Sequence, residues 1–205
     1  MLNKISKLQG RNAEILGMQY AFRSAVLLPL VEVDGRICVL FEKRASNLMH
    51  QPGEISFPGG KIEPTDESIK QGAIRETCEE LGLEPKNIKV IADLDITVSP
   101  FNVIVYPFVA FIDDIKNVQA SPDEVEEAFY VPLDYLLEKG PVKHDMWLDV
   151  AAEQDFPFDL IPQGKDYPFR RVHIPQLFWI WNEHVIWGLT ARILNNFIAL
   201  LKSDL

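Results

Sequence analysis

The hydrophobic positions of this chain form short apolar runs that predict strands. The runs at 24–33 and 36–41 flank the turn signal Asp34-Gly35, so together they predict a β-hairpin. Pro29 lies inside the first run, where its missing backbone N–H favours an edge strand or a bulge. Three later runs predict further strands, at 88–92, 96–98 and 103–112.

Longer segments with apolar residues at three- and four-residue steps predict helices. The best-defined helix begins after Asp66, its predicted N-cap, and ends before Gly82. Its predicted buried stripe consists of Ile69, Ala73, Ile74, Thr77, Cys78 and Leu81. Other segments predict one amphipathic helix and two short helices or turns, at 186–201, 123–129 and 132–137. The proline-rich segment 147–171 predicts a long irregular insertion that walls a pocket.

The size and composition of the chain fit one α/β domain over residues 1–205. Of the 205 residues 47% are hydrophobic, which is enough for a continuous core. Cys38 and Cys78 are far apart in the sequence and predict core thiols, since no disulfide or zinc pattern is present. The formal net charge of -10 argues against nucleic acid as a partner.

Location and association are predicted from the two ends of the chain. The stretch 1–17 lacks the apolar run of a signal peptide, which predicts a cytoplasmic protein. The stretch 177–201 is interrupted by polar residues too often to cross a membrane. Its aromatic residues are typical of a core, and the alternatives are a homodimer interface or a surface that stacks on adenine: Phe178, Trp179, Trp181 and Trp187.

Three glutamates of the first helix are the candidate chemistry of this chain. Glu76, Glu79 and Glu80 fall within an arc of about 100° beside the buried stripe. Such crowding destabilises a helix unless a cation offsets it, by about 0.2 to 0.5 kcal/mol per pair of like charges. Arg75 is one candidate partner, and a hard divalent ion, Mg²⁺ or Mn²⁺, suits oxygen ligands best. A solvated acidic face is the alternative, because glutamate favours helices.

The loop before the helix favours the metal site over the solvated face. Phe57-Pro58-Gly59-Gly60 precedes the helix, and its glycines let backbone approach a ligand closely. The carbonyl group of Gly60 is therefore a candidate ligand of the same metal ion.

These residues form a motif, because segment 59–83 resembles the Nudix box. The box has a glycine, five residues, a glutamate, seven residues, then Arg-Glu, an apolar residue, any residue, Glu-Glu, any residue, a glycine and an apolar residue. Six residues are in register: Arg75, Glu76, Glu79, Glu80, Gly82 and Leu83. Thr77 fills an apolar slot, and one extra residue leaves Asp66 and Glu67 as alternatives for the first acid. We favour Glu67 for that role and Asp66 for the cap.

The resemblance implies an α/β/α sandwich with a mixed sheet, and a hydrolase of nucleoside diphosphates linked to another group. It implies Glu76, Glu79, Glu80 and Glu67 as metal ligands, with one glutamate as general base. Arg75 then orients a glutamate through a bidentate ion pair. The partner is a small-molecule nucleotide substrate.

A second motif narrows the expected substrate. Segment 40–60 resembles the signature of the coenzyme A pyrophosphatase group, Leu-Leu-Thr-x-Arg-(Ser/Ala), three residues, Arg, three residues, Gly, three residues, Phe-Pro-Gly-Gly. Matching positions include Leu40, Arg44, Ala45, Gly53 and the block from Phe57 to Gly60. Three slots depart from the signature and hold Phe41, Glu42 and Met49. The resemblance assigns substrate binding to Arg44, Phe57, Gly59 and Gly60.

The substrate hypothesis is therefore coenzyme A or an acyl derivative, cleaved to 3',5'-ADP and the phosphopantetheine half. Segments 121–137 and 186–194 also resemble that group. Glu124 is a candidate further ligand or base on a loop, with an exposed acid in a helical first turn as the alternative. A pyrophosphatase for ADP-ribose or a nucleotide sugar is the competing hypothesis, and a non-catalytic binding module is less favoured because all box acids are present.

Overall fold

The computed structural model describes residues 5–113, 115 and 118–203, and a large sheet dominates that part of the chain. Within these residues the α-helices whose bounds are given are α1 (Ile69–Leu81), α2 (Leu133–Lys139) and α3 (Gly188–Lys202). The strands are β1 (Phe22–Val33), β2 (Arg36–Arg44), β3 (Ile55–Ser56), β4 (Gly59–Lys61), β5 (Ile88–Asp93), β6 (Thr97–Ser99), β7 (Val103–Ile112), β8 (Val125–Pro132), β9 (Val142–Leu148), β10 (Val172–Trp181) and β11 (His184–Ile186).

Eight strands form the mixed sheet, whose main path runs β3-β2-β1-β7-β5. Strands β1 and β7 are parallel, whereas the other pairs of this sheet are antiparallel. The predicted hairpin is confirmed, since β1 and β2 pair through Val33 and Arg36. Its turn uses Asp34 and Gly35 with φ values of 50° and 74°, the left-handed conformation that such short turns require.

Pro29 does not mark an edge strand or a bulge, so that prediction is wrong. Strand β1 lies in the middle of the sheet, between β2 and β7. The N–H of Leu27 donates to the carbonyl of Pro58, on the side away from β7. Because backbone N–H groups alternate along a strand, the nitrogen of Pro29 faces that same side. There the pairing with β4 ends at Val26 and the pairing with β2 begins at Leu30, so no ladder bond is lost.

Helices cover both faces of the sheet, which confirms the predicted α/β/α arrangement. On one face α1 packs over a core that contains Ala73 and Leu81 together with Leu27 and Leu40. On the other face α2 and α3 contribute to a core with the following buried members: Phe41, Phe57, Phe129, Leu136, Ile193 and Phe197. No helix among residues 5–113, 115 and 118–203 has the length and apolar character needed to cross a membrane.

The helix α1 is capped by Ser68, so the predicted cap at Asp66 is wrong. The Ser68 hydroxyl accepts a hydrogen bond from the N–H of Gln71 at 3.2 Å. Asp66 is occupied elsewhere, because it accepts from the N–H of Glu63 and from the guanidinium of Arg75. The predicted end is confirmed, since Gly82 adopts the left-handed conformation that closes a helix (φ 65°).

The C-terminal half differs most from the sequence-based expectations. Segment 123–129 is not helical, because β8 begins at Val125 and pairs with β2 along its length. A second, three-stranded sheet, β11-β10-β9, packs against the large one. His184 of β11 connects the second sheet to the large one, because its ring stacks on Phe129 of β8 with 3.8 Å between the ring centroids. In the aromatic cluster Trp179 is buried in the core, whereas Trp187 is exposed.

Candidate active site

The three glutamates of α1 occupy a gradient of burial. Glu80 is buried, with a relative exposure of 5%, while Glu76 is half-buried and Glu79 is exposed. The gradient follows from helix geometry, because Glu80 lies next to the stripe that contains Thr77 and Leu81. The arrangement gives each carboxylate a different solvation although all three belong to one helix.

Arg75 organises the exposed side of this group. Its Nη1 donates to Glu76 Oε1 at 2.8 Å and to Glu79 Oε2 at 3.1 Å. Its Nε donates to Asp66 Oδ1 at 2.9 Å, and this hydrogen bond holds the pKa of Asp66 below its usual range. Asp66, and not Glu67, is thus the acid of the preceding loop that contacts Arg75. Glu67 is exposed and lies outside this hydrogen-bond network.

The two glycines of β4 bring backbone against the glutamates. The N–H of Gly59 donates to Glu80 Oε2 at 2.7 Å. A Cβ at Gly59 would lie 2.4 Å from the carbonyl oxygen of Ala25, and its φ of 145° disfavours other residues. A Cβ at Gly60 would lie 2.5 Å from the carboxylate of Glu76. Both positions therefore exclude side chains for a local reason, and the backbone of β4 can approach Glu76 and Glu80 closely.

Glu42 adds a fourth carboxylate to this site, which sequence reasoning missed. It lies on β2 with a relative exposure of 1%, and its Oε1 accepts a hydrogen bond from Ser56 Oγ at 3.0 Å. Its Oε2 is buried without a hydrogen-bond partner among the described residues. One sequence signal pointed to it, because Glu42 occupies a slot where the resembled signature has threonine.

Burial and like charge make these carboxylates hold protons more tightly than free glutamate. Desolvation is the largest cause of the raised pKa of Glu80, and the charge of Glu42 is the next. Desolvation likewise raises the pKa of Glu42, and the hydrogen bond from Ser56 opposes it. The pKa of Glu76 is raised by desolvation, against the hydrogen bond from Arg75. The site without a cation therefore stores unfavourable charge.

Glu124 approaches the same group from the loop before β8. The loop is fixed to the end of α1, since the N–H of Ser121 donates to the carbonyl of Glu80 at 2.8 Å. The N–H of Ala45 donates to the carbonyl of Glu124 itself at 2.9 Å. The Glu124 side chain is exposed, yet its charge contributes to the raised pKa values of Glu42, Glu76 and Glu80.

A cavity of about 490 Å³ lies on the α3 face of the sheet. Its walls are mostly apolar and come from β1, β9, β10, the segment before β7 and the start of α3: Phe22, Val26, Phe101, Met146, Ile174 and Leu189. Arg44 and Arg192 are the basic residues that line it. Ser56 lines it as well, and the hydroxyl of this residue donates to Glu42.

Arg44 is placed to bind an anion at the cavity. It ends β2, and its Nη2 makes a hydrogen bond of 3.4 Å with the carbonyl of His50. Its Nε is buried without a hydrogen-bond partner among the described residues. A guanidinium with a free buried donor suits a phosphate oxygen of a bound ligand. Phe57 also lines the cavity, where its ring stacks on Phe41 with 5.0 Å between centroids.

The donor set of the site fits a hard divalent cation. The ligands on offer are carboxylate oxygens and the Gly60 carbonyl, which Mg²⁺ and Mn²⁺ prefer. The buried Oε2 of Glu42, without a partner, fits the same need. Yet in the part of the chain that the structure describes, no three His, Cys, Asp or Glu side chains are already arranged to hold an ion. Cation binding thus requires the glutamates to turn, and Arg75 holds two of them.

Comparisons with known proteins agree with this geometry. The model of the NUDIX domain matches residues 21–149. The chain is similar to Nudix hydrolase 3 of Caenorhabditis elegans, with 31% identity over 88% of this chain and 73% of that protein. It is also similar to the peroxisomal coenzyme A diphosphatase NUDT7 of Mus musculus, with 39% identity over 60% of this chain. The match spans 53% of the mouse protein, about half its length.

Proposed function

The chain belongs to the Nudix hydrolase family, and from that premise we propose that it hydrolyses coenzyme A or an acyl derivative. The reaction adds water across the diphosphate and gives 3',5'-ADP and the phosphopantetheine half, with or without the acyl group. The similarity to the coenzyme A diphosphatase of mouse supports this proposal.

The observation that carries the proposal is the apolar cavity on the α3 face of the sheet. One half of a substrate cleaved at Glu76 and Glu80 lies in this cavity, which Ser56, the hydrogen-bond partner of Glu42, helps to line. The walls there are mainly aliphatic and aromatic, which suits a long, flexible, weakly polar arm. The pantetheine arm and an acyl chain have this character, whereas the terminal ribose of ADP-ribose demands several polar partners.

Each residue of the site has a role in this proposal. Glu76, Glu79, Glu80 and the Gly60 carbonyl hold the divalent cation, and Glu124 is a further ligand or base. Arg75 positions Glu76 and Glu79 from the exposed side. Arg44 binds a phosphate oxygen at the cavity mouth. A bound Mg²⁺ or Mn²⁺ neutralises charge on the diphosphate oxygens and lowers the pKa of a water molecule.

A substrate panel tests the proposal directly. The purified chain with Mg²⁺ is incubated separately with coenzyme A, an acyl-coenzyme A, ADP-ribose and a dinucleoside polyphosphate, and the products are identified by mass spectrometry. We expect 3',5'-ADP from the first two at a kcat/KM at least about tenfold above that for ADP-ribose, since buried apolar contacts discriminate by 1–3 kcal/mol.

The control is Glu80→Gln, which keeps the size of the side chain and removes its charge. Loss of 3',5'-ADP formation in that variant shows that the activity belongs to this chain and not to a contaminant. Preferred cleavage of ADP-ribose would replace the proposed substrate, and no turnover of any compound would favour a binding module.

A further inference from the structure

Glu42 is the most deeply buried carboxylate of the site, and one of its two oxygens has no hydrogen-bond partner among the described residues. Ser56 donates to one oxygen, while the other is enclosed and makes no hydrogen bond among the described residues. An ionised carboxylate in such a place costs several kcal/mol unless a positive charge or several donors compensate. The folding of β2 alone therefore does not explain why a glutamate occupies this buried position.

Among the described residues, Glu42 and Glu80 form no salt bridge with a basic residue. Arg75 is bonded to Asp66, Glu76 and Glu79, on the exposed side of the group. Arg44 attracts Glu42 electrostatically, but its guanidinium donates its hydrogen bond to the carbonyl of His50. For the pair Glu42 and Glu80, one N–H of Gly59 and one hydroxyl of Ser56 are the bonded donors among the described residues. Two buried carboxylates with so few donors need a shared proton or a shared cation.

We infer that Glu42 is an additional metal ligand, which holds a divalent cation together with Glu80 between β2 and α1. This inference rests on the proposed function, because it assumes that the carboxylate group binds Mg²⁺ or Mn²⁺. Carboxylate oxygens from two different elements suit a cation that bridges them. The residue lies outside the Nudix box, and the resembled signature has threonine in its slot, so the extra ligand is a property of this chain.

The choice between a proton and a cation decides how the variant Glu42→Gln behaves. Glutamine is neutral, has the same shape and retains a donor group, so it imitates a protonated Glu42. If Glu42 shares a proton with Glu80, the variant binds a cation as the wild type does. If Glu42 is a ligand, the variant loses one anionic oxygen from the coordination sphere and binds the cation more weakly.

The experiment is a titration of the metal-free chain with Mn²⁺ alone, followed by electron paramagnetic resonance of free Mn²⁺ and by isothermal calorimetry. We expect Glu42→Gln to raise the Kd for the tightest-bound Mn²⁺ at least about tenfold, as loss of a residue that supports a metal typically costs 10- to 100-fold. Ser56→Ala, which frees the oxygen that Ser56 orients, is expected to raise it about threefold. The latter variant tests the inference where Glu42→Gln fails to fold.

The matched control is Glu32→Gln, which removes one charge from the exposed end of β1. It lies beside the hairpin turn, opposite Ile37, and is expected to leave the Kd within about twofold. An unchanged Kd in folded Glu42→Gln, or in Ser56→Ala where Glu42→Gln does not fold, would overturn the inference while leaving the proposed function intact. Failure of the wild-type chain to bind Mn²⁺ would overturn both.

Discussion

The α1 face of the large sheet collects carboxylates, whereas the α3 face encloses an apolar cavity. On the first face Glu76 and Glu80 lie against the backbone of β4, and the charge of the buried Glu42 raises the pKa of Glu80. On the second, aromatic and aliphatic side chains surround about 490 Å³ of space. The same sheet thus has a group of carboxylates on one face and an apolar cavity on the other.

The two faces meet where β2 and β3 pair. Glu42 and Ser56 are register partners there, and Ser56 both donates to the carboxylate and is among the residues that line the cavity. A ligand that uses both faces has to be anionic at one point and weakly polar along the rest. The difference between the faces therefore predicts that substitutions on one face change rate and those on the other change selectivity.

The largest expected effect is on the charged face. Glu80→Gln and Glu79→Gln should each lower kcat for the cleaved nucleotide at least about 100-fold, because charge stabilisation by the metal is the main catalytic contribution. Glu80→Gln should lower kcat more than Glu79→Gln does, since fewer water molecules can replace a buried carboxylate than an exposed one. The measurement is steady-state kinetics in saturating Mg²⁺. Near-normal rates in both variants would remove these glutamates from the mechanism.

The charged face was also the part that the sequence predicted best. Local spacing placed Glu76, Glu79 and Glu80 on one side of a helix, and the structure keeps them there. The hairpin and the sheet strand 103–112 follow from equally local signals, a two-residue turn and a long apolar run. The family prediction, which rests on the same motif, is confirmed by the match to the NUDIX domain.

What could not be predicted depends on contacts between distant segments. Glu42 joins the site only because β2 and α1 pack together, and its strand position alone indicates nothing about the glutamates it faces. The cap moved from Asp66 to Ser68 because Arg75 engages Asp66 from nine positions away. Segment 123–129 is predicted as a short helix or turn but forms most of strand β8. Its pairing with β2 determines the strand, since the sequence 123–129 lacks the pattern of a strand.

A smaller loss of rate is expected where Arg75 meets two of the glutamates. Arg75→Lys keeps the positive charge but loses the fork that contacts Glu76, Glu79 and Asp66 together. We expect kcat to fall about 10- to 100-fold with little change in KM, because Arg75 positions ligands and does not touch the substrate. A KM effect without a kcat effect would instead indicate a substrate contact for Arg75.

The apolar face is tested by filling the cavity. Thr190 lines it from the first turn of α3, and Thr190→Phe should raise KM for an acyl-coenzyme A about tenfold, since overpacking costs about 1–3 kcal/mol. The kcat is expected to stay within about threefold. Ala199→Phe, on an exposed position of the same helix, is the matched control. Equal KM values for Thr190→Phe and wild type would show that the arm binds elsewhere.

The smallest expected effect is on the stability of the metal-free chain. Glu42→Gln should stabilise the chain without metal, although it should weaken Mn²⁺ binding. Burial raises the pKa of Glu42 above its usual value, so the folded chain favours the protonated form. Stability is then full below the unfolded pKa and falls as pH rises through the folded one. Glu42→Gln stays neutral, so in EDTA at pH 8 its free energy of unfolding should exceed the wild type's by about 1 kcal/mol or more.

That gain in stability should vanish at pH 4.5, where the wild-type Glu42 is protonated in the folded chain. Urea unfolding at the two pH values measures it, with Glu32→Gln as the control that removes an exposed charge. Excess Mn²⁺ should then reverse the order at pH 8, since a ligand stabilises whichever variant binds it more tightly. If Glu42→Gln is less stable than wild type in EDTA at pH 8, the buried carboxylate is compensated within the protein and does not depend on a cation.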